Sequence, residues 1–229
     1  MNTAALVAAN AARWSKVRVQ AAKGASFGAI ARRLLAARDR YQAVSMLTGV
    51  PWFVIAVIHE REASQRWDAS IAQGDPWARV STHVPKGRGP FASWQAAAVD
   101  ALTNCAPYAA KWKDWSPGGT MTLLEQYNGL GYANRGRPSP YIWAGTGQYV
   151  RGKYVADGKY DPDVVDNQPG CAGLLLAMAA IDASVADGLG QHGSAPPATP
   201  TPPAKPSITN PAPGSLGAWI VALFKRSFS

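Results

Sequence analysis

Four ionisable residues in a row, His59, Glu60, Arg61 and Glu62, close an apolar run, and thirteen residues after Glu62 comes Asp75, followed by Ser81 and Thr82. A carboxyl kept protonated near neutral pH can give its proton to a leaving oxygen. A second carboxylate can orient water or stabilise developing positive charge. Together these are the roles that cleavage of a glycosidic bond requires. Glu62 is the candidate acid, Asp75 the second carboxylate and Ser81 or Thr82 the hydroxyl beside it. On residue type alone, a solvated surface acid accounts for Glu62 equally well.

The element that must position Glu62 is the stretch Val50–Trp67, VPWFVIAVIHEREASQRW. Pro51 suits the first turn of a helix, where a missing N–H costs nothing. Trp52, Phe53, Val54, Ile55, Val57 and Ile58 make a face too apolar for solvent, which predicts a core helix from Pro51 to about Arg66. His59 and Glu62, three apart, then share a face with Ile55 and Ile58, while Glu60 points elsewhere, towards solvent or a surface Arg. Acids near a helix C-terminus oppose the macrodipole by about 0.3–1 kcal/mol each. The placement is poor for stability, but dipole and apolar neighbours both raise a carboxyl's pKa.

Around that helix the chain reads as follows. Residues 3–21 are Ala-rich and helix-favouring, Gly24 is expected to break them, and Ser26 to cap a second helix carrying Ile30, Leu34, Leu35 and Tyr41. Between the turn signals Gln73-Gly74-Asp75-Pro76 and Lys86-Gly87-Arg88-Gly89-Pro90, Ala78–Val84 reads as a small hairpin or extended loop. Ser93 is expected to cap a helix from Trp94 towards Trp112, and Gly118 and Gly119 to precede another from about Thr120 to Asn128. From Tyr127 through Tyr141 to Asp161-Pro162 the chain is rich in Gly, Pro, Tyr and Trp without a period, which marks a functional loop. Gly170–Ala186 returns to an apolar helix closing the core.

The net charge of +9, from 23 Lys and Arg against 14 Asp and Glu, favours an anionic partner such as cell wall, a membrane surface or nucleic acid. The basic residues are scattered, not clustered with stacking aromatics, so nucleic acid is not expected as a partner. Cys105 and Cys171 form no CxxC, and three dispersed His give no metal-ligand spacing, so no cofactor or metal is expected. One disulfide and two buried thiols both fit the cysteines. The N-terminus lacks the pattern of a secretory signal peptide. Residues 190–214 hold eight of the 18 prolines and read as an extended linker. Beyond it, 215–229 is a short apolar and cationic segment. Leu216–Phe224 makes about 13 Å of helix, too short to span a bilayer but suited to an interfacial anchor. Docking back onto the domain fits it equally.

Several of these pieces, taken in order, resemble lysozyme-like muramidases and lytic transglycosylases, especially phage endolysins. The matching stretches are His59-x-x-Glu62, Gln73–Pro76, Thr82–Pro85, Gln126-Tyr127-Asn128-Gly129 and Ser139–Trp143 to Lys159–Pro162, within about residues 48–186. The gaps between Glu62, Asp75 and Thr82 are longer than in the phage-type triad. The resemblance implies a mainly α, lysozyme-like α+β domain over residues 1–189, with a small β-hairpin beside the catalytic helix. It also implies a monomer that cleaves the MurNAc–GlcNAc β-1,4 bond of peptidoglycan. Glu62, Asp75 and Thr82 fall to catalysis, and His59, Gln126, Tyr127, Asn128, Tyr132 and Tyr141 to holding the glycan. Two alternatives stay open: a transglycosylase forming 1,6-anhydro products, and a cell-wall binder that does not cut. An endolysin would be made in the host cytoplasm and released to the periplasm, with 215–229 engaging anionic envelope lipids.

Overall fold

Every residue from Trp52 to Glu60 is buried in the computed structural model, which describes residues 2–190. These residues belong to helix α4 (Trp52–Ala63), and a helix apolar on all sides must be surrounded. Ten α-helices occur among the described residues, with one two-stranded antiparallel sheet. The protein is therefore mainly helical, and the described part packs as one unit. Helices α3 (Arg38–Thr48) and α9 (Cys171–Ala179) flank α4. Helix α2 (Gly24–Ala36) packs on α9, and α5 (Trp94–Thr103) on α3. Helix α1 (Thr3–Trp14) lies along α6 (Pro117–Asn128). Their close crossing depends on Gly118, where a Cβ would come within 2.7 Å of the Val7 carbonyl oxygen.

Several element boundaries differ from those expected. Gly24 opens α2 after a 3-10 turn at Ala21–Lys23, so Ser26 lies inside the helix instead of capping it. Pro51 occupies the cap position of α4, and the helix stops at Ala63, short of Arg66. Ser93 does cap α5, its Oγ accepting from the Ala96 N–H at 3.1 Å, but the helix ends at Thr103. Gly118 and Gly119 lie within the first turn of α6, which Ser116 caps from outside. The apolar segment from Cys171 is two helices, because Asp182 breaks it and accepts from the Ser184 N–H at 2.9 Å to begin α10 (Ala183–Gly190). Gly190, assigned to the linker, is thus helical. The rest of that linker and the 215–229 segment lie outside the described residues.

Of the two forms expected for Ala78–Val84, the extended loop is the one found, and the β-hairpin lies elsewhere. Residues 67–90 form turns and extended chain with a single bridge between Ala69 and Pro76. The two strands, β1 (Lys153–Ala156) and β2 (Lys159–Asp161), come from the Tyr-rich stretch instead. Asp157-Gly158 turns between them, with Gly158 at φ +69°, and an Asp-Gly pair is a strong local signal for a hairpin turn. Two short helices, α7 (Gly131–Asn134) and α8 (Pro140–Trp143), occupy the remainder of that stretch, and α8 packs against α6 and α9. Cys105 and Cys171 are both free and buried.

Candidate active site

Glu62 is the penultimate residue of α4. The helix is closed by Ser64 and Gln65, both left-handed at φ 50° and 58°. Their N–H groups return to the Glu60 and His59 carbonyls at 2.9 and 3.2 Å. Non-glycine residues in that region cost about 1–3 kcal/mol each, so tertiary contacts must hold this end in place. The Glu62 side chain is only partly exposed, and its Oε1 accepts from the Tyr141 hydroxyl at 2.8 Å. Burial pushes its carboxyl up to about 7, while the Tyr141 hydrogen bond and the Arg61 guanidinium pull the other way. A carboxyl near 7 is an available proton donor at neutral pH. Tyr141 is itself buried, and burial raises its hydroxyl well above the ordinary range, so it stays a donor.

Beneath this pair lies a charge network anchored by Arg61. Its side chain, 5% exposed, meets the equally buried Asp166 at 3.4 Å and donates to the Gln168 and Pro169 carbonyls at 3.1 Å each. Gln168 returns a bond to the Arg61 carbonyl at 2.9 Å. The guanidinium also lies 4.8 Å from the Tyr141 ring centre. Lys153 of β1 reaches the other Asp166 oxygen at 3.1 Å. Arg61 and Asp166 thus clamp the 166–169 segment and the hairpin to the end of α4 and keep Tyr141 beneath Glu62. Breaking a buried pair of this kind costs about 3–5 kcal/mol.

The second carboxylate is held on the turn that follows. Gly74, at φ +77°, passes so close to the end of α4 that a Cβ would sit 2.7 Å from the Glu62 carbonyl oxygen. Asp75 comes next. Its Oδ2 accepts from the N–H groups of Thr82 and His83 at 2.8 and 3.0 Å and from the Thr82 hydroxyl at 3.4 Å. His83 Nδ1 meets Oδ1 at 2.6 Å. These donors, led by the His83 N–H, hold the Asp75 carboxyl down at about 2. The sequence pairing of Asp75 with Thr82 is therefore a contact in the structure. His83 is a third member that residue spacing did not single out.

A groove of about 500 Å³ runs past Arg61 and Tyr141 and is lined by Asn128, Tyr132, Lys153 and Tyr154. Glu62 is not itself among the lining residues; it adjoins the groove through its hydrogen bond to Tyr141, which is. Tyr132 accepts from the Tyr154 N–H at 2.9 Å, and Tyr132, Tyr154 and Tyr160 pack edge to face. Tyr127 and Gln126 stand differently. The Tyr127 hydroxyl donates to the Ile71 carbonyl at 2.9 Å, tying α6 to the Asp75 turn, and half-buried Gln126 is not among the groove's lining residues. Another cavity, about 280 Å³, borders Asp166 and Gln168 but holds no candidate acid.

His59 is the clearest correction. It is fully buried, and a side chain without exposure cannot touch a glycan. Its Nδ1 accepts from the Tyr41 hydroxyl at 3.1 Å and its Nε2 donates to the Arg66 carbonyl at 2.8 Å, with Trp67 and Trp94 packed around it. Burial lowers its pKa to about 4, so the ring is neutral. Being on the apolar face with Ile55 and Ile58 is what put it inside. Glu60 does pair with an Arg, Arg33 at 3.6 Å, but from a buried position. Nothing local in the sequence marks Arg61 and Asp166, 105 residues apart, as partners, and Lys153, 13 residues before Asp166, joins them only through the hairpin fold. Among the described residues no cluster of three His, Cys, Asp or Glu is placed to hold a metal. Compared with protein-family models, curated proteins and solved structures, the chain matches none significantly.

Proposed function

We propose that this chain is a lysozyme-like glycoside hydrolase that cuts the β-1,4 bond between MurNAc and GlcNAc in peptidoglycan, as an endolysin does. The observation that carries the reading is Glu62: a carboxyl at the end of a buried helix, raised to about 7 by burial and oriented by Tyr141. Glu62 protonates the leaving glycosidic oxygen. Asp75, held ionised by four donors, stabilises the oxocarbenium-like charge, with the Thr82 hydroxyl beside it. The glycan lies along this groove, with a sugar face against half-buried Tyr154 and polar edges towards exposed Asn128, while Tyr132, buried behind Tyr154, supports that ring. The net charge of +9 draws the enzyme to the anionic envelope.

A carboxylate held at about 2 is a weak base, and that favours a second reading. After giving up its proton, Glu62 would take one from the sugar's own C6 hydroxyl and release a 1,6-anhydro end. Mass spectrometry of muropeptides freed from purified sacculi distinguishes the two: reducing ends for hydrolysis, anhydro ends for transglycosylation, no products for a binder. The acid's role is checked by lysis of outer-membrane-stripped Gram-negative cells. Glu62→Gln is expected to lower activity by about 10²-fold or more. Wild-type lysis by that folded variant ends the proposal.

A further inference from the structure

Four hydrogen bonds surround the Asp75 carboxylate, which leaves it charged but a poor acceptor of a proton from water. Its Oδ2 takes three donors and its Oδ1 a fourth, all from Thr82 and His83. An ionised carboxylate only accepts, so the 2.6 Å contact requires the proton to be on His83 Nδ1. In the neutral ring the free lone pair is then on Nε2. That side chain is 75% exposed, whereas its partner Asp75 is 13% exposed, so the ring projects from an anchored base into solvent. An imidazole fixed through one nitrogen by a carboxylate, with the other nitrogen open, is the arrangement that takes a proton from water. Gly74, against the Glu62 carbonyl, sets this pair beside the end of the acid's helix.

We infer that His83 is the base of the hydrolysis and that Asp75 acts through it. The inference rests on the glycosidase reading. As the C1–O bond breaks, its electron pair goes to the leaving oxygen, which takes the Glu62 proton. A water oxygen bonds to C1, and one of its protons passes to His83 Nε2. Asp75 stabilises the imidazolium that results. Solvent exchange then returns a proton to Glu62 and removes one from His83. Two separate groups acting around one water give inversion at C1.

The test compares full-length wild type, His83→Ala, His83→Gln and Glu62→Gln on purified sacculi, with circular dichroism confirming folding. His83→Gln can still donate to Asp75 but cannot take a proton, so it separates base chemistry from loop structure. Both His83 variants are expected to keep KM and lose about 10²-fold in turnover. Added imidazole is expected to restore His83→Ala in part, but not Glu62→Gln. Near-normal turnover by either His83 variant, with Glu62→Gln inactive, overturns the inference and leaves the glycosidase reading standing. So does a wild type releasing only 1,6-anhydro ends, since no water is then consumed, or one releasing the retained anomer. A wild type releasing nothing from sacculi removes both.

Discussion

Replacing Glu62 with Gln isolates what the surroundings of the carboxyl do to the fold. Burial raises its pKa from 4.5 to about 7 in the folded chain, and the unfolded chain has no such burial. Between those values the folded state holds more protons than the unfolded one, so stability falls as pH rises through the window. Each unit weighs about 1.4 kcal/mol, so the ionised carboxylate costs the fold about 3 kcal/mol once pH is above 7. The amide has the same shape, still accepts from the Tyr141 hydroxyl, and never ionises. Glu62→Gln is therefore expected to be about 3 kcal/mol more stable relative to wild type at about pH 8 than at about pH 4. With a urea slope of about 2 kcal/mol per molar, its unfolding midpoint gains about 1.5 M over wild type between those conditions. Urea titration of both proteins across that range reads the difference, and every other titrating group cancels. An offset that does not change with pH, or one that shrinks as pH rises, refutes the reasoning.

Tyr141→Phe removes the hydrogen bond that favours the charged form of Glu62, so the acid's pKa moves upward by about 1 unit. The alkaline limb of the pH–turnover profile follows it to higher pH, and an unmoved limb counts against Tyr141 as the acid's partner. Gly74→Ala places a Cβ 2.7 Å from the Glu62 carbonyl oxygen at a backbone φ of +77°. Thermal unfolding should report a loss of about 1–3 kcal/mol, with lower turnover because the Asp75 turn is pushed off the helix end. His59→Gln disturbs two buried hydrogen bonds and an aromatic cluster without touching the groove. A stability loss of about 2–4 kcal/mol with an unchanged KM for sacculi is expected, and the reverse pattern would return His59 to the binding site.

What could be read from the sequence were features whose cause is local. The apolar run from Trp52 to Ile58 specifies a buried helix by itself, and Ser93 caps α5 through a bond to a residue three positions on. Asp75 and Thr82, seven apart across one turn, were near enough in sequence to be paired. The Gly74-Asp75 turn is written in its residues, but its meaning, contact with the Glu62 carbonyl, depends on a helix that ends three residues early. Arg61 and Asp166 pair only because α8, α9 and the hairpin fold back on α4. His59 was misplaced for a different reason. Sharing a helix face with Glu62 does not mean sharing its surroundings, because that face turns from core to surface within the single turn that separates them.

Three features near Glu62 go against the usual rules of stability. An acid sits at the negative end of a helix dipole, Ser64 and Gln65 adopt left-handed backbone without being glycine, and Gly74 passes within contact distance of a carbonyl. Each alone would be removed by a common substitution: a cation at position 62, glycine at 64, a wider turn at 74. Their purposes interlock. Left-handed Ser64 and Gln65 end α4 so that Glu62 is its last full turn, and the close approach at Gly74 is what lets the next turn bring Asp75 and His83 alongside. The Arg61–Asp166 clamp then supplies the rigidity this strained corner lacks. Burial holds one carboxyl near 7 and turn hydrogen bonds hold another near 2, thirteen residues apart. Separating two carboxyls so widely in proton affinity is useful where one must give a proton while the other remains charged.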